Sequence, residues 1–438
     1  METVNDDVQL NLDLPRRVSQ QRRSFVSGLL QASRWLRYSA WLILFGLFGC
    51  DSSAPESTSE LDVSRGDIIH VEQLKTYTVE DINQLAEDFG LPYTARYGVN
   101  LYMMEYWTVD ADGELTLASG AVGIPQPAIA ELSIVSLQSV TTVQRSSVPS
   151  RGGIAQTLVG MLFSADGYVT VMPDMIGLGS SMESHPYLVA DLSANTVIDL
   201  LRAVTQWSTN ESLTISRDIY LAGYSSGGYV TLATHRAIEA EYSDEFSIGA
   251  SAPMAGPYDL SGTMLQFMLQ GEPYGQPYFL PYILLSYNRT YNLYDRPSDF
   301  LASPYDEILP PLFDGTHTSS EINEVMPEIP IQIIRDDVLQ RVRENTNHRI
   351  IQRLRENDLI NWSPRSTVRL YHCAADELIP IQNSQIAARK FGSVAILVDP
   401  SPESNHTGCA FIAIVGARAW FNSISSIRSG TQNRGIFR

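Results

Sequence analysis

Nowhere in its 438 residues does the chain carry a GxxxxGK[ST], GxGxxG, HExxH or CxxC string, and it shows no internal repeat. A phosphate-cradling loop, a two-histidine zinc helix and a dithiol redox pair therefore have no sequence support, and no cofactor or metal is expected. Basic residues are scarce: 30 Lys and Arg stand against 49 Asp and Glu, a formal charge of −19. Such an acidic balance argues against nucleic acid as a partner. Cysteine is almost missing, with only Cys50, Cys373 and Cys409. Long apolar runs are missing too. The apolar run at 38–49 stops well short of the roughly 20 residues a membrane-spanning helix needs. What remains is 44% apolar content, enough to bury a large core in one elaborated catalytic domain or two domains.

The first 49 residues have their own logic. Arg16, Arg17, Arg22, Arg23, Arg34 and Arg37 precede the short apolar run, which ends in Leu47-Phe48-Gly49-Cys50. This arrangement resembles a bacterial lipobox. It implies that residues 1–49 are a lipoprotein signal peptide and that Cys50 is lipidated. The protein would then sit in the bacterial cell envelope, lipid-anchored and facing the periplasm, or be secreted. An uncleaved anchor with an incidental cysteine is the competing reading. Residues 51–62 are small and polar, as a tether should be, and 50–85 is taken as tether and lead-in.

Beyond residue 62 the lead-in is expected to be irregular apart from one short helix, Val79 to Phe89. Two alternating runs, 97–109 and 114–124, flank Asp112-Gly113 and predict a β-hairpin. Short apolar strands follow at 132–137, 168–172, 247–252, 367–373 and 394–398. Helical spacing appears at 153–164, 186–207, 381–391 and near 409–423. Short buried strands alternating with helices predict an α/β fold with a mostly parallel sheet covered on both faces. From about 261 to 360 the rhythm breaks into Tyr-, Pro- and Leu-rich sequence and then charged helical sequence. A hundred residues is too long for a loop in a compact domain. This stretch is expected to be an inserted cap, between core segments 86–260 and 361–438. Its aromatic residues either pack the cap onto the body or line a substrate site.

The chain is organised around Asp218-Ile-Tyr-Leu-Ala-Gly223-Tyr-Ser225-Ser-Gly227-Gly-Tyr-Val230, an apolar run that turns into a helical pattern through Gly-x-Ser-x-Gly. A serine at the apex of a sharp strand-to-helix turn matches the nucleophile elbow, whose tightness calls for glycine on either side. Ser225 is the candidate nucleophile, with the Ser226 amide as one oxyanion donor. Asp376 follows the strand at 367–373 and is the candidate acid, with Glu377 as the alternative. Among seven histidines, His406 follows the last strand and precedes a terminal helix, and is the candidate base. The order Ser225, Asp376, His406 is that of an α/β-hydrolase triad.

The chain from about 97 to 425 resembles an α/β-hydrolase of the bacterial secretory-lipase and prolyl-oligopeptidase-like esterase group. The matching stretches are Gly167 to Ser180, His185-Pro-Tyr187, Gly223 to Gly228, Ala252 to Leu260 and the Asp376 and His406 segments. In relatives the second oxyanion amide comes from a loop reading like Gln-His-Gly-Thr. Here it reads Gln138-Ser139-Val140-Thr141, so the donor is expected from Val140 or Thr141 with altered geometry, or turnover of ordinary substrates is weaker. His185-Pro-Tyr187 either lines the acyl or alcohol pocket or starts the helix after it. Cys373 and Cys409 lie three residues from Asp376 and His406. If acid and base are hydrogen-bonded, the two cysteines come close enough for a disulfide outside the cytoplasm; two buried free thiols are the alternative.

The resemblance implies a serine esterase or lipase acting on a small-molecule or lipid ester without a cofactor. Two other functions stay open. One is a prolyl-oligopeptidase-type peptidase, although no propeller-sized N-terminal domain is present. The other is a non-catalytic hydrolase-fold binder.

Overall fold

Alternation at 97–124 demands one buried and one half-open face; residues 98–109 supply both, whereas 118–125 are buried throughout. In this computed structural model, which describes residues 63–128, 131–152 and 154–435, β2 (Gly98–Val109) and β3 (Leu115–Gln126) pair antiparallel. The turn between them closes where the Asp110 amide donates to the Glu114 carbonyl at 3.0 Å, with Gly113 at φ 83°. The lead-in is less irregular than its sequence implies. Ile68–Tyr77 forms β1, an edge strand antiparallel to β2. Its mixed, mostly exposed residues carry no alternation to read, since only Ile68, Val71 and Tyr77 pack against the core. Helix α1 (Val79–Asp88) opens with a reciprocal capping box between Thr78 and Asp81.

Six further strands complete the sheet: β4 (Leu132–Gln138), β5 (Val169–Pro173), β6 (Ile215–Tyr224), β7 (Ser247–Met254), β8 (Val368–Tyr371) and β9 (Ala395–Val398). Their order is β1-β2-β3-β5-β4-β6-β7-β8-β9, antiparallel through the β3–β5 pairing and parallel from β5 to β9. The apolar runs of β4 and β5 are buried almost throughout, as strands covered on both faces should be. The cover comes from α2 (Ile154–Ser164), α3 (Ala190–Asn210), α4 (Ser226–Glu241), and two helices late in the chain. Helix α3 starts four residues later than its periodicity suggests. Leu188 adopts φ 56°, which breaks the helical path, so Pro186 lies in a loop rather than a first helical turn.

Between β7 and β8 the chain makes α5 (Leu265–Leu269), α6 (Phe279–Tyr291), α7 (Tyr305–Ile308), α8 (Ser319–Val325), α9 (Asp336–Glu344) and α10 (Arg349–Glu356). Tyrosine hydroxyls fasten this helical stretch to the body. Tyr282 donates to the Thr142 carbonyl at 3.0 Å, Tyr287 to Leu188 at 2.9 Å and Tyr274 to Leu378 at 3.1 Å. From the body, Tyr229 donates to Asn357 at 2.8 Å. The chain then runs through β8, α11 (Gln382–Phe391), β9 and α12 (His406–Gly435). The loops after β6, β8 and β9 all leave the carboxyl edge of the parallel strands, where open α/β sheets gather their chemistry. Cys50, the signal-peptide segment 1–49 and the tether lie outside the described residues.

Candidate active site

Ser225 stands between the end of β6 and the first residue of α4, at φ 59° and ψ −122°. A non-glycine residue held there stores strain, on the order of 1–3 kcal/mol, that the surroundings must over-determine. They do so from three sides. The Ser225 amide donates to the Met254 carbonyl on β7 at 2.8 Å. A Cβ on Gly223 would lie 2.4 Å from the Gly227 carbonyl oxygen, and one on Gly227 would lie 2.3 Å from that of Gln138. The glycines flanking the serine therefore follow from backbone-to-backbone contact, and the elbow expected from the sequence is present.

Asp376 and His406 are brought together. His406 Nδ1 lies 2.6 Å from Asp376 Oδ2, and both residues are buried. The other carboxylate oxygen accepts from the amides of Leu378 at 3.0 Å and Ile379 at 2.8 Å. Burial alone pushes the Asp376 pKa up. Hydrogen bonds from His372 and His406, together with the Ile379 amide, outweigh it and hold the carboxyl well below the usual carboxylate range. His406 is the first residue of α12 rather than a loop residue, because Asn405 caps that helix by accepting from the Gly408 amide at 2.8 Å. Glu377 is a cap as well, but of α12 and not of α11. Its carboxylate accepts from the His406 amide at 2.9 Å, which commits it to the helix start.

Tyr224 places the pair beside the elbow. Its hydroxyl donates to the His406 carbonyl at 2.6 Å, and its ring centroid lies 5.0 Å from the imidazole. A disulfide joins Cys373 to Cys409, with Cα atoms 6.0 Å apart, so the free-thiol alternative does not hold. The bridge ties the segment before Asp376 to the first turn of α12, which His406 opens.

The loop after β4 runs over the start of α4. Ser226 Oγ lies 3.5 Å from the Ser139 carbonyl oxygen, and Thr141 Oγ1 lies 3.0 Å from the Tyr187 hydroxyl. Among the described residues, no backbone bond consumes the amides of Val140 and Thr141. Ser226 is the first residue of its helix, so its amide is not spent inside the helix either. A small cavity of about 30 Å³ is lined by Ser139, Val140, Thr141, Tyr187 and Ser226, among others. Val140 is exposed at the rim.

His185-Pro-Tyr187 does not start a helix. The Tyr187 ring stacks on Tyr282 at 4.4 Å, and the His185 ring sits 5.6 Å from Tyr282. Burial draws the His185 pKa down to about 4, against the opposing pull of its bond to the Ile176 carbonyl. The unfolded chain takes up that proton near pH 6.5 and the folded chain only near pH 4. Stability that is full above pH 6.5 is therefore lost as pH falls through this window, on the order of 3 kcal/mol. Denaturant midpoints at pH 7 and pH 4 should show the loss, and His185→Asn should shrink it; an unchanged pH difference in the variant would assign the loss to other groups.

Sequence reasoning missed His372. It is fully buried, with Nδ1 2.8 Å from Ser384 Oγ and Nε2 2.8 Å from the Ile379 carbonyl and 3.2 Å from Asp376 Oδ2. The signal was a polar residue in phase with the buried positions Val368 and Leu370, four residues before Asp376. Among the described residues no group of three or more His, Cys, Asp or Glu is arranged to hold a metal ion.

The secretory lipase family model matches residues 151–266, a stretch that includes the elbow. A comparison with curated protein sequences returns no match. Among solved structures, the rice cell wall degrading esterase LipA from Xanthomonas oryzae, in a ligand-bound form, is 27% identical with a TM-score of 0.73. That alignment covers 84% of this chain and 98% of the other. A protein of Legionella pneumophila assigned to the hydrolases is also 27% identical, with a TM-score of 0.76 over 82% of this chain and 98% of its own. Candida antarctica lipase A in its closed state shares the fold at 15% identity, with a TM-score of 0.61 over 83% and 82% of the two chains. The chain therefore has the α/β-hydrolase fold, and its residues 151–266 carry the sequence pattern of the secretory lipase family.

Proposed function

We propose that the protein is an extracytoplasmic serine hydrolase that cleaves carboxylic esters through Ser225, His406 and Asp376. The observation that carries this reading is the 2.6 Å carboxylate–imidazole pair, placed beside a serine strained at the apex of a strand–helix turn. With Nδ1 engaged by Asp376, His406 Nε2 is the nitrogen that takes the Ser225 proton as Oγ attacks the ester carbonyl. The same proton then goes to the leaving alcohol. Water repeats the sequence to free the acid from the acyl-enzyme. Asp376 fixes the tautomer and stabilises the imidazolium. The Ser226 amide, at the positive end of α4, would meet the developing oxyanion together with an amide from Val140 or Thr141.

The ester preference rests on the likeness to the esterase LipA, on the secretory lipase family match, and on the insertion at 261–360, read as a cap. Between it and the body lies a cavity of about 120 Å³ lined almost wholly by apolar side chains, Leu188, Leu260 and Ile379 from the body and Met264, Ile283 and Val338 from the insertion among them. Such a lining suits an apolar acyl or alcohol portion rather than a sugar. The secretory family match supports a location in the cell envelope or outside it, with Cys50 as the lipid attachment. A fluorophosphonate probe should label wild-type protein at Ser225 and fail to label Ser225→Ala. Hydrolysis of p-nitrophenyl esters should exceed hydrolysis of aminoacyl-proline amides. A folded protein that neither labels nor turns over esters would sink the reading, and turnover confined to the amides would replace it with a peptidase.

A further inference from the structure

His372 and Ser384 have no part in proton transfer, yet together they occupy the buried side of the acid. We propose that they form a positioning relay, Ser384–His372–Asp376, that aims the catalytic carboxylate at His406. The inference rests on the triad reading above and goes one residue deeper into the protein.

The donors and acceptors leave little choice of arrangement. His372 Nε2 faces two oxygens, the Ile379 carbonyl at 2.8 Å and Asp376 Oδ2 at 3.2 Å, and both can only accept. A lone pair there would meet two electron-rich atoms in a fully buried place, so Nε2 must carry the hydrogen. Nδ1 is then an acceptor, and Ser384 Oγ, 2.8 Å away and itself buried on α11, is positioned to donate to it. The serine thus fixes the tautomer of His372 as the aspartate fixes that of His406. The consequence falls on Oδ2, which accepts from His406 and shares the single His372 N–H with the Ile379 carbonyl, while Oδ1 accepts from the Leu378 and Ile379 amides. Four donors around one carboxylate hold its plane and keep it ionised despite burial. The Ile379 peptide closes the ring, because its amide binds Oδ1 and its carbonyl binds His372.

A residue buried for packing alone would not need a fixed tautomer. Replacing His372 by Leu keeps the bulk and removes the donor. It should lower kcat by about 10- to 100-fold, which is what one hydrogen bond to a charged group is worth in rate. KM should stay within about twofold, since no atom of His372 reaches substrate. His372→Gln, whose amide nitrogen can stand near the Nε2 position, should recover most of the loss. Ser384→Ala is a small change that folds if the leucine variant does not, and it should give a smaller drop in kcat at constant KM. Melting temperatures measured in parallel separate unfolding from misalignment. If wild type labels at Ser225 and turns over esters while the Leu and Ala variants keep full kcat, the relay is wrong and the triad reading survives. A KM rise without a kcat loss, or no recovery with Gln, also overturns it. Wild type that neither labels nor turns over would instead remove the reading beneath it.

Discussion

Asp376→Asn should lower kcat by about 10,000-fold, as expected when the base loses its correct tautomer. The carboxylate accepts from His406 Nδ1, His372 Nε2 and the amides of Leu378 and Ile379. An asparagine has only one oxygen to offer these four donors. If its NH₂ faces the imidazoles, His406 must turn its Nδ1 lone pair inward and carry its proton on Nε2, where it cannot accept from Ser225. If the NH₂ faces the peptide instead, two backbone amides lose their acceptor in a buried place, at about 1–3 kcal/mol. Each placement does damage, so both turnover and stability should fall. Steady-state kinetics on a p-nitrophenyl ester and a denaturant titration measure the two effects; a variant retaining a tenth of wild-type kcat would rule out Asp376 as the acid.

The second large effect concerns the bridge between Cys373 and Cys409, 36 residues apart in sequence. Closing a loop of that length restrains the unfolded chain, and the chain-entropy account gives about 4 kcal/mol. A Cys373→Ala, Cys409→Ala double variant should lose roughly that stability, and wild type assayed in strong reductant should move toward it. Turnover should drop as well, because the bridge joins the acid's segment to the first turn of α12, on which His406 stands. Unchanged melting in the double variant would show that the hydrogen bonds of Asp376 and Glu377 hold α12 unaided.

Much of this site could be read from the chain because its residues are close to forced. A serine at φ 59° between two backbones needs glycine at 223 and 227, and that requirement leaves a string in the sequence. The candidate acid and base, Asp376 and His406, were legible through position, each beyond a short apolar strand. His372 was not, since a buried polar residue at a strand end announces itself only when its partners are known, and those lie 7 and 12 residues downstream. The strand β1 escaped for the opposite reason: main-chain pairing with β2 makes it, and its side chains carry no periodic trace. Pro186 misled because a proline before an apolar period suits a helix start, whereas Tyr187 is drawn aside to Thr141 and Tyr282.

The tyrosine attachments of the helical insertion also bear on how this protein can change over time. Tyr274, Tyr282 and Tyr287 each donate to a backbone carbonyl of the body, at Leu378, Thr142 and Leu188. A carbonyl is present whatever side chain its residue bears. A change of side chain at residues 142, 188 or 378 therefore leaves these three attachments in place. The tyrosine hydroxyls, and not the side chains of the residues they bind, are what the attachment needs kept.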